Sequence, residues 1–223
     1  MNPIIFLIDD DESFLRSMER RLFAYGMNVR SFRSATEFLF AYSPDMEGVI
    51  LTDLQMPGMS GFDLQDELNR RNASISLVFI SGKGDIPTSV RAMKAGADSF
   101  LTKMIDTATL LETINKAIQS GSKRRRMAES RKNILEQIQS LSKRELQVVL
   151  GLLRGQSNRE IADGISLAER TVKYHRTMLS RRYSIKTPVE IARMVWSAGL
   201  DETHIEKMIS DRQQQNPVDE DLD

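Results

Sequence analysis

The sequence predicts two folds in series: a doubly wound α/β domain on a five-stranded parallel sheet, then an all-α four-helix domain with a helix-turn-helix. Three observations predict this. Five short apolar runs alternate with five helical patterns over residues 1–120, as β-α repeats with right-handed crossovers require. Residues 141–200 lack strand-like alternation and carry repeated helix-start signals. Charge is segregated: 12 Lys/Arg against 16 Asp/Glu over 1–120, 17 against 7 over 121–200, and 2 against 8 over 201–223. The formal net charge of zero therefore hides a basic middle segment suited to a polyanion.

The expected strands are Ile4–Ile8, Asn28–Phe32, Val49–Thr52, Ser76–Ile80 and Ser99–Thr102. Helices are expected near 13–25, 35–42, 60–70, 86–95 and 107–120. Leu15, Met18, Leu22 and Tyr25 recur at helical spacing and predict the buried face of the first helix. After the third strand, Met56-Pro57-Gly58-Met59 forces a turn, and Ser60 can cap the next helix. Asp85 and Pro87 start the fourth helix and Gly96 stops it.

Composition removes several chemistries. Cysteine is absent, which excludes disulfides, thiolate catalysis and Cys-based zinc sites, and only two histidines occur, His175 and His204. The amino terminus lacks the pattern of a signal peptide, and no run approaches the roughly 18 apolar residues of a membrane span. A cytoplasmic protein is expected.

The polar residues converge once placed on this frame. Asp9, Asp10 and Asp11 follow the first strand, Asp53 ends the third, Ser81 ends the fourth and Lys103 ends the fifth. Carboxyl ends of parallel strands share one edge, where open α/β sheets bind ligands. Alone, Asp9-Asp10-Asp11 reads equally well as a turn whose last acid caps a helix. Several carboxylates in one pocket resist ionisation together, and Mg2+ is the natural counter-ion. Asp10 and Asp53 are the expected direct ligands, with the Gln55 carbonyl, and Asp9 acts through water. Asp53 would attack an activated phosphorus to form an acyl phosphate. Lys103 would pair with the phosphoryl oxygens and Ser81 would donate a hydrogen bond to one. Phe100 would fill space that Ser81 vacates, coupling charge to surface shape.

Residues 1–120 resemble a bacterial response-regulator receiver domain, with its flavodoxin-like fold. The matching marks are Ile8-Asp9-Asp10, Asp53-x-x-Met56-Pro57-x-x-x-Gly61, Phe79-Ile80-Ser81-Gly82 and Lys103, in order and at the right spacing. The resemblance implies phosphotransfer from a sensor histidine kinase and dimerisation through the fourth helix, fifth strand and fifth helix. It implies a phosphoacceptor rather than an enzyme. One departure is Met104, where the family usually has a proline after a cis bond. Without proline, cis costs about 2.5–4 kcal/mol, so the bond is either trans or strained.

Residues 121–140 predict a linker helix with a narrow apolar stripe of Ile134, Leu135 and Ile138. Its Lys123-Arg124-Arg125-Arg126 run reads as a solvated face rather than a phosphate contact. In residues 141–200, Ser142-x-x-Glu145 and Ser157-x-x-Glu160 are capping boxes that fix two helix starts. Gly155 and Gly164 close those helices. A third helix runs from about Ala168 to Arg182, and a fourth runs from Thr187-Pro188 to Gly199. On the third, Val172 and Leu179 face the core, with His175 half-buried beside them. Lys173, Tyr174 and Thr177 face outward toward base edges of double-stranded DNA, and Arg170, Arg176, Arg181 and Arg182 are candidate phosphate partners.

This segment resembles the DNA-binding domain of the LuxR/FixJ/NarL class. The resemblance rests on Leu141-Ser142-x-Arg144-Glu145, Gly155-x-Ser157-Asn158-x-Glu160-Ile161-Ala162 and Thr171-Val172-Lys173-x-His175. It implies pairing through the fourth helix on a two-half-site operator. Ala168 stands where that pattern usually has a serine cap, a loss of about 1 kcal/mol. Residues 201–223 form an acidic tail in which Ile205, Met208 and Ile209 allow one more helix. Disorder is expected beyond Arg212.

Together these readings predict a homodimeric, phosphorylation-controlled transcription regulator. Two alternatives stand beside it: a DNA-binding regulator that has stopped using phosphate, and a haloacid-dehalogenase-like phosphohydrolase with Asp9-x-Asp11-x-Ser13 as its nucleophile loop. The second lacks a paired-acid motif beyond Lys103.

Overall fold

The computed structural model describes residues 3–82, 85–183 and 187–215. The chain divides into two compact units, residues 1–128 and 129–223. In the first, the strands β1 (Ile4–Ile8), β2 (Asn28–Phe32), β3 (Gly48–Asp53), β4 (Ser76–Ser81) and β5 (Ser99–Thr102) form one parallel sheet in the order β2-β1-β3-β4-β5. The helices are α1 (Glu12–Phe23), α2 (Ala35–Ala41), α3 (Gly61–Arg70), α4 (Ile86–Lys94) and α5 (Thr107–Gln139). The sheet is buried on both faces, as its near-continuous apolar strands require. Phe6, Phe38, Ile50, Leu64 and Phe79 fill one face, and Leu7, Leu22, Leu51, Ile80 and Ile114 fill the other.

Local signals set the helix starts. Asp11 Oδ1 accepts the Ser13 and Phe14 amides. Ser60 and Asp63 form a capping box, and Asp85 caps α4. Leu15, Met18 and Leu22 are buried, but Tyr25 lies beyond α1 and is exposed. The chain turns at Gly26, so the helical period ends before Tyr25 can use it.

The helix expected to end near 120 and the linker helix expected from 121 are one continuous helix, α5. Gly121 is not a stop. A Cβ there would lie 2.7 Å from Ser76 Oγ, so glycine lets α5 pass close to the start of β4. The basic run is not simply a solvated face either. Arg124 forks onto both carboxylate oxygens of Asp98 at 2.9 Å and donates to Ser76 Oγ at 3.0 Å. Arg125 pairs with Glu47 at 2.9 Å and donates to the Asp45 carbonyl at 2.7 Å. A carboxylate that is 8 % exposed needs such a partner, and no sequence pattern marks this pairing across 26 positions.

In the second unit, α6 (Lys143–Leu153), α7 (Asn158–Gly164), α8 (Glu169–Tyr183) and α9 (Pro188–Ser197) are joined by α10 (Glu202–Gln215) and by the last turns of α5. Ile138, Leu146, Val149, Ile161, Val172, Leu179, Val195 and Ile205 share one core. Capping boxes start α6 and α7, and a third, Thr187 with Glu190, starts α9. Gly164 is the last residue of α7 rather than its stop. Ser166 takes the left-handed conformation (φ 55°), and Leu167 N donates to Ala162 O at 3.0 Å, closing a Schellman turn. Helix α10 runs through Gln213–Gln215, past the expected onset of disorder. Its Glu202 and Glu206 pair with Arg154, the residue that caps α6, so the one further helix expected from Ile205, Met208 and Ile209 is present and reaches three residues past Arg212. Asn216 and Pro217 lie outside the described residues.

Candidate functional site

Two sites follow from this scaffold, one in each unit. In the first, parallel register places Asp53 level with Ile80, so Asp53 and Ser81 end neighbouring strands. Lys103 follows β5, and its main-chain N–H donates to Ser81 O at 2.9 Å. One oxygen each from Asp9, Asp10 and Asp53 lies within 4.8 Å of the others. Lys103 Nζ reaches Asp9 Oδ2 at 2.6 Å and Asp53 Oδ2 at 2.9 Å. No described peptide bond is cis. The Lys103–Met104 bond is therefore trans, and the lysine still reaches both acids.

The acids are not equivalent. Asp9 is buried, and its Oδ1 accepts Asp11 N at 2.9 Å. Its Oδ2 is buried against the Lys103 ammonium at 2.6 Å. Burial raises the Asp9 carboxyl above its ordinary range, against the opposing pull of Lys103 and the Asp11 amide. Burial also acts to lower the Lys103 ammonium, but hydrogen bonds to Asp9 and Asp53 outweigh it and hold the pKa above its usual value. Asp53 Oδ1 accepts Leu54 N at 2.6 Å and Gln55 N at 3.5 Å, leaving Oδ2 toward the pocket.

Three carboxylates against one ammonium leave two uncompensated negative charges. With the buried Asp9 Oδ2 sharing that ammonium with Asp53, this all-oxygen donor set fits a hard divalent cation. Asp11 is not part of the set, because its side chain caps α1. The last acid of the triplet caps α1, and the first two stand beside Asp53. Ser81 is buried at the strand end. Phe100 is half-buried, its ring centroid 6.1 Å from that of Phe79. Sequence reasoning missed Phe14, whose ring lies 4.4 Å from Lys103 Nζ. Its place on the first turn after the acids was the available signal.

In the second unit, α8 presents Lys173, Tyr174 and Thr177 on its exposed side, and Val172 and Leu179 are buried opposite. Arg170 and Arg181 are exposed. The other two arginines already serve the domain. Arg176 donates to Asn158 of α7. Arg182 donates to Ser140 at 3.2 Å and lies over the Tyr183 ring. Lys173 pairs with Glu169 at 2.9 Å, and Thr177 Oγ1 donates to the Lys173 carbonyl at 2.9 Å. His175 is half-buried with its ring against Tyr174, a packing residue as expected.

A parallel sheet of this order with acids at its carboxyl edge, followed by this helical unit, has clear relatives. Residues 5–115 match the response regulator receiver domain family, and residues 139–195 match the luxR family of bacterial regulatory proteins. The chain belongs to the response-regulator family. Nodulation protein W of Bradyrhizobium diazoefficiens is 35 % identical over 204 residues, covering 92 % of this chain and 90 % of that protein. Response regulator protein TodT of Pseudomonas putida is 36 % identical over 191 residues, covering 86 % and 84 %. The solved structure of the response regulator StyR is 36 % identical, with a TM-score of 0.75, covering 87 % of this chain and 98 % of that one. This response regulator thus joins a receiver domain to a LuxR-type DNA-binding domain. Membership leaves the phosphohydrolase alternative without support. No helix among the described residues is long and apolar enough to cross a membrane.

Proposed function

We propose that Asp53 is the phosphoacceptor of this response regulator and that its phosphorylation controls dimerisation and sequence-specific binding to promoter DNA. The observation that carries this is the Lys103 ammonium held between Asp9 and Asp53 at the carboxyl edge of the sheet. Asp53 Oδ2 attacks the phosphorus of a phosphohistidine on a sensor kinase. The P–N bond breaks, an acyl phosphate forms, and the histidine leaves. Lys103 then exchanges its Asp53 partner for phosphoryl oxygens, and the Ser81 hydroxyl donates to one of them. Phe100 adjusts against Phe79 as Ser81 moves. Asp10, Asp53 and the Gln55 carbonyl would hold Mg2+, with Asp9 acting through water. Bound there, the ion neutralises charge on the transferring group.

Exposed apolar side chains support a dimer. Ile86, Val90 and Met93 recur at helical spacing on α4, and Val189 and Trp196 are exposed on α9. On DNA, Lys173, Tyr174 and Thr177 read base edges and Arg170 and Arg181 engage phosphates; Arg176 and Arg182 join them only by leaving Asn158 and Ser140. The Lys173–Glu169 pair opens on contact. Met104 was the hint for a regulator that ignores phosphate. With the trans bond leaving Lys103 at Asp53, that reading gains no support. Incubation with acetyl phosphate and Mg2+, followed by peptide mapping, tests the proposal: label on Asp53 supports it, and label elsewhere or none overturns it.

A further inference from the structure

Lys103 must deliver one ammonium to two acids from the turn that follows β5, where Ile105 N donates to Thr102 O at 3.1 Å and Ile105 packs against the core. The main chain is fixed on one side by Lys103 N to Ser81 O at 2.9 Å. On the other side, the Met104 side chain is 93 % exposed. The residues that follow are also clamped from α1. Arg21 donates from Nη2 to the Ile105 carbonyl at 2.7 Å and from Nε to Thr107 Oγ1 at 2.9 Å. Two donors of one rigid planar group fix orientation as well as position. Helix α1 also supplies Phe14, whose ring lies 4.4 Å from Lys103 Nζ and favours a cation over its face. The two side chains are two turns apart on the same helix, so one rigid element supports both the loop and the ammonium.

We propose that Arg21 and Phe14 are positioning residues for Lys103, setting where its ammonium meets Asp53 and the phosphoryl group. Neither touches a reacting atom; each acts through the lysine. This inference rests on the reading of Asp53 as phosphoacceptor and Lys103 as its cation. The competing view is that Arg21 merely anchors the start of α5.

A double-mutant cycle on the full chain separates the two. The readout is the initial rate of Asp53 phosphorylation by acetyl phosphate, in which an Asp53 oxygen bonds to phosphorus and acetate leaves. Mn2+ binding is measured in parallel by electron paramagnetic resonance. Arg21→Ala is expected to slow phosphorylation by about tenfold, within the cost of a misplaced group. In the Lys103→Ala background the same change is expected to add less than about twofold. Mn2+ affinity should not move, because Arg21 contacts none of the three carboxylates. Arg21→Lys, which can restore one of the two bonds, should give an intermediate rate, and Phe14→Leu a smaller loss that also vanishes without Lys103. Equal slowing by Arg21→Ala in both backgrounds, no slowing at all, or a parallel loss of Mn2+ binding would overturn the inference. If Lys103→Ala alone left the rate unchanged, the underlying reading of Lys103 would fail instead, and this inference with it.

Discussion

The acidic pocket and the basic face of α8 solve opposite problems. The pocket gathers residues separated by up to 94 positions, from Asp9 to Lys103, and buries their charges against one another. The α8 face draws its groups from one helix and leaves most of them in water. Charges in the pocket are strongly coupled, so removing one changes the others. Exposed charges on α8 are screened and nearly independent. Changes in the pocket should therefore act all-or-none, and changes on α8 in increments.

The largest effect that could break this contrast is at Asp53. Asp53→Asn keeps the shape and removes the proposed nucleophile, and phosphate incorporation from acetyl phosphate should fall to background. Label retained at another acid would show that the pocket is not specialised as described. Next is the core beneath the α8 face. Leu179→Ala should destabilise the second unit by about 3 kcal/mol, seen as a lowered melting transition with the first unit's transition unchanged. On the face itself, Arg170→Ala and Arg181→Ala should each weaken DNA binding at all sequences and reduce the salt slope by about one. A tenfold change in sequence preference instead would make them readers of bases.

The smaller effects sharpen the comparison. Protons compete with a cation at Asp9, whose carboxyl is raised by burial. Mg2+ affinity should fall as pH drops through that raised value. Ionised Asp9 opposes folding in the absence of a cation, so the metal-free chain should lose this penalty over the same fall in pH. Calorimetric titration at several pH values checks the binding. Ser166→Gly relieves a left-handed serine and should stabilise the second unit by about 0.5–1 kcal/mol in urea melts.

What was legible in the sequence follows the same division. Asp9, Asp53, Ser81 and Lys103 could be placed together because a topological rule sends strand ends to one edge. Val172 and Leu179 were legible from period alone. The Arg124–Asp98 fork, the Arg21 clamp and the Arg176–Asn158 bond were not, because pairings of long side chains across folded elements leave no periodic mark. The boundary placed between 120 and 121 failed for a related reason: a glycine that permits close packing, as Gly121 does, and one that ends a helix look alike in one dimension. Ser166 took the role expected of Gly164 because the capping bond from Leu167 to Ala162 decides which residue turns left-handed.

The central claim is that charge added at Asp53 is felt at the DNA-binding face. The direct test is a gel-shift titration of promoter DNA at fixed salt, with and without acetyl phosphate, on the native chain and on Asp53→Asn. Affinity should rise on phosphorylation of the native chain by about tenfold or more, the range of an allosteric coupling, and stay constant for the variant. Equal affinity for phosphorylated and unphosphorylated native chain, or an equal rise in the variant, would contradict it.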